Sequence, residues 1–337
     1  MKILVLGGTL FVGRVVVEHA LDAGHDVSLF NRGKTHPGLF PEAEHIRGDR
    51  NQDLSGLAGR RFDAVVDTSA YFPRQVVAIT EVLGPIEHYT LVSSASVYAD
   101  QSIPGMDESA ALAVVEDPTV EELGENYGGF KALCESALEQ ALPGRVHSVR
   151  AGLIVGPYDS TGRFSYWVER LSRNGKVLAP DPADQPVQFI DVRDLADWIL
   201  LAAARGLSGP MNAIGTPGSM TMASLLEGTR RLVPGDSELT WVAKEFLLEH
   251  DVEPWSELPL WLPLPAFAGF MSRSNDRAVR NGLSFRPLAD TVIATRDWLA
   301  EAGHTNKGED SGVSRTPAGL TPAREQELLH AWAAASP

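Results

Sequence analysis

Lys2 to Leu6 is an apolar, partly β-branched run, and Gly7-Gly8-Thr9 breaks it. Apolar positions then resume at helical spacing through Val12, Val15, Val16 and Ala20, and Gly24 marks the helix end. The pattern predicts a strand, a glycine turn and a helix. Further strands are expected at Asp26 to Phe30, His45 to Asp49, Phe62 to Thr68 and His88 to Ser93. Helices are expected at Pro73 to Leu83 and Gly124 to Leu142. A strand at Gln188 to Val192, a helix at Asp194 to Ala203 and a last central strand at Gly209 to Ile214 complete the series. Strands alternating with helices at this spacing predict an α/β fold built on a doubly wound parallel sheet.

Composition narrows the class. The chain has 337 residues, 44% of them hydrophobic, enough for a sizeable core. No apolar run reaches the ~20 residues of a membrane span, and the start of the chain lacks the pattern of a signal peptide. The lone Cys134 excludes an internal disulfide and fits a cytoplasmic protein. A net charge of −15 argues against a nucleic-acid partner. The nine histidines form no metal-ligating pattern, so no metal is expected; His88 and His147 read as core or strand-edge residues, and Cys134 as packed inward.

The glycine turn suits a dinucleotide. Glycines let the pyrophosphate approach backbone amides at a helix N-terminus, where the helix dipole is positive. Ligands of such sheets sit beyond the strand C-termini, so Gly7, Asn31, Thr68 and Ser94 should border one crevice. Strand two ends in Asn31-Arg32-Gly33-Lys34, with no carboxylate for a free ribose 2′-hydroxyl and two cations where a 2′-phosphate would sit. This favours NADP(H), with NAD(H) the alternative. Expected cofactor contacts are Gly7, Thr9, Leu10, Phe11, Val12 and Gly13 in the turn, then Asn31, Arg32, Lys34, Thr68 and Ser69.

Tyr127 and Lys131 are four residues apart on one helix face. A cation one turn away favours the phenolate and lowers a tyrosine pKa, as hydride chemistry at a carbonyl requires. With GGTLFVG (7–13), Asp49, SSASVY (93–98), YGGFK (127–131), RAGLIVGP (150–157) and FIDVRDLA (189–196), the chain resembles the extended or atypical short-chain dehydrogenase/reductases, the NAD-dependent epimerase/dehydratase group. The GGTxFxG loop resembles the branch that includes chloroplast stem-loop-binding proteins. The resemblance covers roughly the first 200 residues. It implies a Rossmann domain at 1–157 and 186–215, a smaller substrate lobe at 158–185 and 216–303, then a flexible segment and terminal helix at 304–337. It also implies Tyr127 as acid/base, Lys131 on the nicotinamide ribose and tuning the tyrosine, Ser94 (or its neighbour Ser96) on the substrate oxygen, Asp49 on the adenine, and a homodimer.

Departures from that pattern matter. The dehydratase positions after the catalytic serine are Ala95 and Ser96 rather than acids, which argues against dehydration. The segment Arg150 to Gly156 holds no amide, which weighs against a nucleotide sugar. Arg163, Trp167 and Arg170 share a helix face and read either as a substrate contact or as a salt-bridged surface. Trp241, Trp255 and Trp261 stand in or beside a proline-rich run that reads either as an aromatic wall over the site or as packing between lobes. The function expected is an NAD(P)-dependent oxidoreductase acting at a ketone or secondary alcohol of a small polar metabolite, in the direction of ketone reduction. A sugar epimerase is the alternative within that chemistry, and a nucleotide-sensing or RNA-binding protein the alternative outside it.

Overall fold

The computed structural model describes residues 1–301 and 318–335. Its first half runs β1 (Lys2–Leu6), α1 (Phe11–Asp22), β2 (Asp26–Asn31), β3 (Glu44–Arg47), β4 (Phe62–Asp67), α2 (Pro73–Val82), β5 (Ile86–Ser94), α3 (Tyr127–Ala141), β6 (Val146–Ala151) and β7 (Leu153–Val155). The second half runs α4 (Arg163–Leu171), β8 (Gly175–Pro180), β9 (Phe189–Asp191), α5 (Val192–Arg205), β10 (Gly209–Ala213), α6 (Met222–Arg230), β11 (Ser237–Val242) and α7 (Lys244–Glu249). It closes with α8 (Asp276–Arg280), α9 (Leu288–Ala300) and α10 (Pro322–Ala335).

Seven strands form one parallel sheet in the order β10-β6-β5-β4-β1-β2-β3. Ile3 registers with Val27 on one side and Ala64 on the other. Both faces are covered, so the inner strands are apolar almost throughout. Val15, Val16 and Val17 of α1 pack with Leu195, Trp198 and Ile199 of α5 on one face. Val76 and Ile79 of α2 pack with Cys134 and Leu138 of α3 on the other. This is the doubly wound Rossmann architecture.

Several elements differ from the sequence reading. The third strand stops at Arg47, because Asp49 turns back to pair with Asp53. Residues 189–191 leave the central sheet and pair with β7. Two strands escaped the reading altogether: β8 and β11, which pair in parallel. They anchor a second core around Trp167, Trp261, Leu178, Val242 and Leu225. Thr221 caps α6 by accepting from Ser224 N at 3.1 Å. The terminal helix α10 lies on this core, with Leu328 fully buried. Most of the segment expected to be flexible lies outside the described residues. Among the described residues no helix is long and apolar enough to cross a membrane, and no three His, Cys, Asp or Glu cluster as metal ligands.

Candidate active site

Two adjoining cavities open beyond the C-terminal ends of the central strands. The first, of about 330 Å³, is lined at the ends of β1 and β2 by Gly7, Thr9, Leu10, Asn31, Arg32 and Lys34, and across from them by Asp49, Arg50 and Ser69. The turn that forms its floor is glycine-dependent. Gly7 has φ +109°, and a Cβ there would lie 2.8 Å from the Thr68 hydroxyl. Asn31 fixes the turn by donating to Gly7 O at 2.9 Å and accepting from Gly33 N at 2.8 Å. The first-turn N–H groups of α1 have no intrahelical partner, leaving a positive helix end at the cavity. Phe11, at the entry to that helix, holds φ 36°, a strained value for a side-chain-bearing residue. A glycine cradle, a free helix N-terminus and two cations at the end of β2 fit a dinucleotide phosphate chain.

Val12, Gly13 and Thr68 do not line this cavity. Thr68 is turned onto Leu6 O at 3.0 Å. Gly13 serves packing instead, since a Cβ there would meet Gly8 N at 2.8 Å. Asp49 does line the cavity, and its carboxylate accepts from Asn51 N at 2.9 Å. Arg50, overlooked in the sequence, braces the wall. It forms two bonds to Asp67, of 2.9 and 2.8 Å, and a third to the Ser69 hydroxyl at 2.9 Å. Burial alone would raise the Asp67 carboxyl, but Arg50, Ser69 N and the Tyr89 hydroxyl outweigh it and hold it below the usual carboxylate range.

The second cavity, of about 630 Å³, holds Ser94, Ser96 and Tyr127 at one end. Its remaining walls are mostly apolar, with Phe11, Leu153, Trp255, Leu262, Leu264 and Phe270 among them. That lining departs from the polar metabolite expected. The two cavities meet where Leu10 adjoins Phe11 and where the rings of Tyr71 and Tyr127 approach at 6.4 Å.

Tyr127 opens α3 directly above the single helical turn Ala95–Val97. Gly128 permits that contact: a Cβ there would lie 2.0 Å from Ser96 O. Ser94 accepts from Ser96 N at 3.1 Å, and its hydroxyl shares this end of the cavity with the Tyr127 phenol. Burial pushes the phenol above its ordinary value, and the nearby Ser94 hydroxyl opposes the shift. The Lys131 ammonium, 4% exposed, donates to Ala70 O at 2.8 Å and Val92 O at 2.7 Å, and it lies 5.7 Å from the Tyr71 ring. Burial lowers its pKa. It lines neither cavity and is held beneath Tyr71.

Of the helix face proposed to meet substrate, only Arg163 reaches the cavity, with its guanidinium 5.1 Å over the Trp255 ring. Trp167 and Arg170 are corrections. Trp167 is fully buried and donates to Pro259 O at 2.9 Å, while Arg170 pairs with Glu325 at 2.6 Å and with Lys176 O. The proline-rich run divides likewise: Trp255 forms cavity wall and Trp261 is core. Behind the site Arg150 and Glu135 form a buried ion pair at 2.8 Å, and Ser93 and the Tyr98 hydroxyl join it. His147 and Cys134 are core residues.

Residues 63–215 match the model of the NAD dependent epimerase/dehydratase family. A chloroplast stem-loop binding protein of 41 kDa from Arabidopsis thaliana is 30% identical over 216 residues, 59% of this chain and 54% of its own length. The chain thus spans about half of that relative. A dTDP-6-deoxy-L-talose 4-dehydrogenase (NAD(P)(+)) from Kitasatospora kifunensis is 26% identical over 67% of this chain and 77% of its own. Among solved structures, UDP-glucose 4-epimerase from Thermus thermophilus in complex with NAD superposes with a TM-score of 0.60 at 18% identity, covering 90% of this chain and all of that one. The matched segment runs from β4 to β10 of the central sheet, and the chain shares the fold of that epimerase structure.

Proposed function

We propose that the protein is an NAD(P)-dependent oxidoreductase that transfers hydride at a carbon bearing oxygen, working as a ketone reductase. The observation that carries this reading is the Tyr127 phenol beside Ser94, at the end of a largely apolar cavity that adjoins a glycine-floored phosphate cradle. A bound reduced nicotinamide supplies a hydride to the carbonyl carbon. Ser94 holds the carbonyl oxygen, and Tyr127 delivers the proton that turns it into a hydroxyl. Arg32 and Lys34 at the first cavity support NADP(H) as the preferred dinucleotide. Residues 1–157 and 186–215 form the dinucleotide domain in this reading, and 158–185 with 216–303 form the substrate lobe. Cytoplasmic location and a homodimer belong to the same proposal.

The test is NADPH and NADH oxidation with a panel of ketones, alongside the Tyr127→Phe variant. Loss of the proton donor should lower kcat by about 10²–10⁴-fold while the dinucleotide Kd stays put. Unchanged turnover in the variant would remove Tyr127 from the chemistry. Interconversion of two sugar epimers with no net cofactor change would replace the reductase by an epimerase.

A further inference from the structure

The second cavity is unlike a site for a nucleotide diphosphate. Among the described residues that line it, the charged ones are Arg163 and Glu253, of opposite sign. The Arg163 guanidinium is stacked on Trp255. Of the cations nearby, Arg170 is held by Glu325 and the buried Arg150 by Glu135, while Arg273, outside the lining, stacks behind the Phe270 ring at 4.7 Å and donates to Gln101. A diphosphate would bring two negative charges into walls of leucine, phenylalanine and tryptophan without the arginine forks that normally bind it. Burying unpaired charge in such surroundings is strongly unfavourable. The same walls suit a flat apolar body. Trp255 and Phe270 meet edge to face at 5.6 Å, and Phe11, Leu264 and Phe267 add apolar surface.

Resting on the hydride-transfer reading for the position of the carbonyl, we infer that the substrate is an uncharged carbonyl compound with an aromatic or alicyclic body and no nucleotide diphosphate. Its carbonyl lies against Ser94 and Tyr127, and its apolar body against Trp255. Hydride reduction of such a compound consumes one reduced nicotinamide and one proton and yields the secondary alcohol. The nucleotide-sugar epimerases that share the fold keep a substrate of the opposite character, by their names.

Calorimetric titration of the full chain tests this. The probes are 2-acetylnaphthalene, UDP and UDP-glucose, with oxidised NAD or NADP present so that no reduction can occur. The expected result is saturable binding of 2-acetylnaphthalene and none of UDP or UDP-glucose. Trp255→Ala should weaken the ketone at least about tenfold, and Trp255→Phe should restore most of the loss. Binding of UDP or UDP-glucose, or no binding of the ketone, overturns the inference. Turnover is measured separately with the reduced cofactors. A ketone that binds without being reduced sinks the hydride-transfer reading and leaves the substrate class standing.

Discussion

The two cavities meet at one helix turn and are built on opposite plans. The first is made from strand ends, backbone amides and charged tips, and its residues sit within a few positions of the sheet that fixes them. The second takes Ser94, Ser96, Tyr127, Ala151 and Phe11 from the sheet's neighbourhood and much of its apolar wall from segments such as 253–270, which have no regular period. Phosphate recognition needs fixed N–H directions, which a strand-turn-helix supplies at low cost. Substrate recognition in an apolar cavity needs shape, which loops can vary without disturbing the sheet.

The contrast can be tested first at the buried ion pair behind the site. Glu135→Ala leaves the Arg150 charge buried without its carboxylate, at 3% side-chain exposure, and should cost about 3–5 kcal/mol of stability in chemical denaturation. Both cavities should weaken together. If only the apolar cavity suffered, the pair would be local to that wall. Next, Gly128→Ala drives a methyl into Ser96 O and should cost about 1–3 kcal/mol while lowering kcat, with dinucleotide affinity held within a few-fold. The double change Arg32→Ala, Lys34→Ala touches only the first cavity. It should raise the Kd for NADPH about tenfold and leave that for NADH nearly unchanged, as read by fluorescence titration. Equal losses for both nucleotides would assign the two side chains to a general electrostatic role.

A further effect lies outside both cavities. Burial beside His88 holds the His147 imidazole neutral, with its pKa pushed down to about 3. Below pH ~6.5 the unfolded chain takes up a proton that the folded chain refuses, so stability falls as pH drops between those values. The slope should reach at most about 1.4 kcal/mol per pH unit, and His147→Leu should flatten it in denaturation curves taken from pH 7 to 4.

Legibility in the sequence followed the same division. Strands β1, β2, β4 and β5 were readable because burial on both faces leaves continuous apolar runs between glycine and polar breaks. Gly7, Asn31, Arg32 and Lys34 could be placed because each sits at a strand end. The lobe was opaque for a physical reason. Strands β8 and β11 carry Lys176 and Glu238 and are buried over only part of their length, so neither shows the continuous apolar run of the central strands. Helix spacing put Arg163, Trp167 and Arg170 on one face, but it could not say which neighbours each would meet. Trp167 found Pro259 and Arg170 found Glu325. Arg50 gave no signal either, because its partner Asp67 comes from another turn of the chain.

The ion pair that closes α10 onto α4 bears on the order of assembly. Arg170 lies 12% exposed against Glu325, which also accepts from Leu178 N at 3.1 Å. A chain emerging in order from its N-terminus can complete the seven-stranded sheet once Ala213 is made. It then carries a guanidinium destined for burial, with no carboxylate to receive it, until residue 325 follows. The lobe therefore finishes last, and the wall that recognises substrate matures after the cradle that holds the dinucleotide.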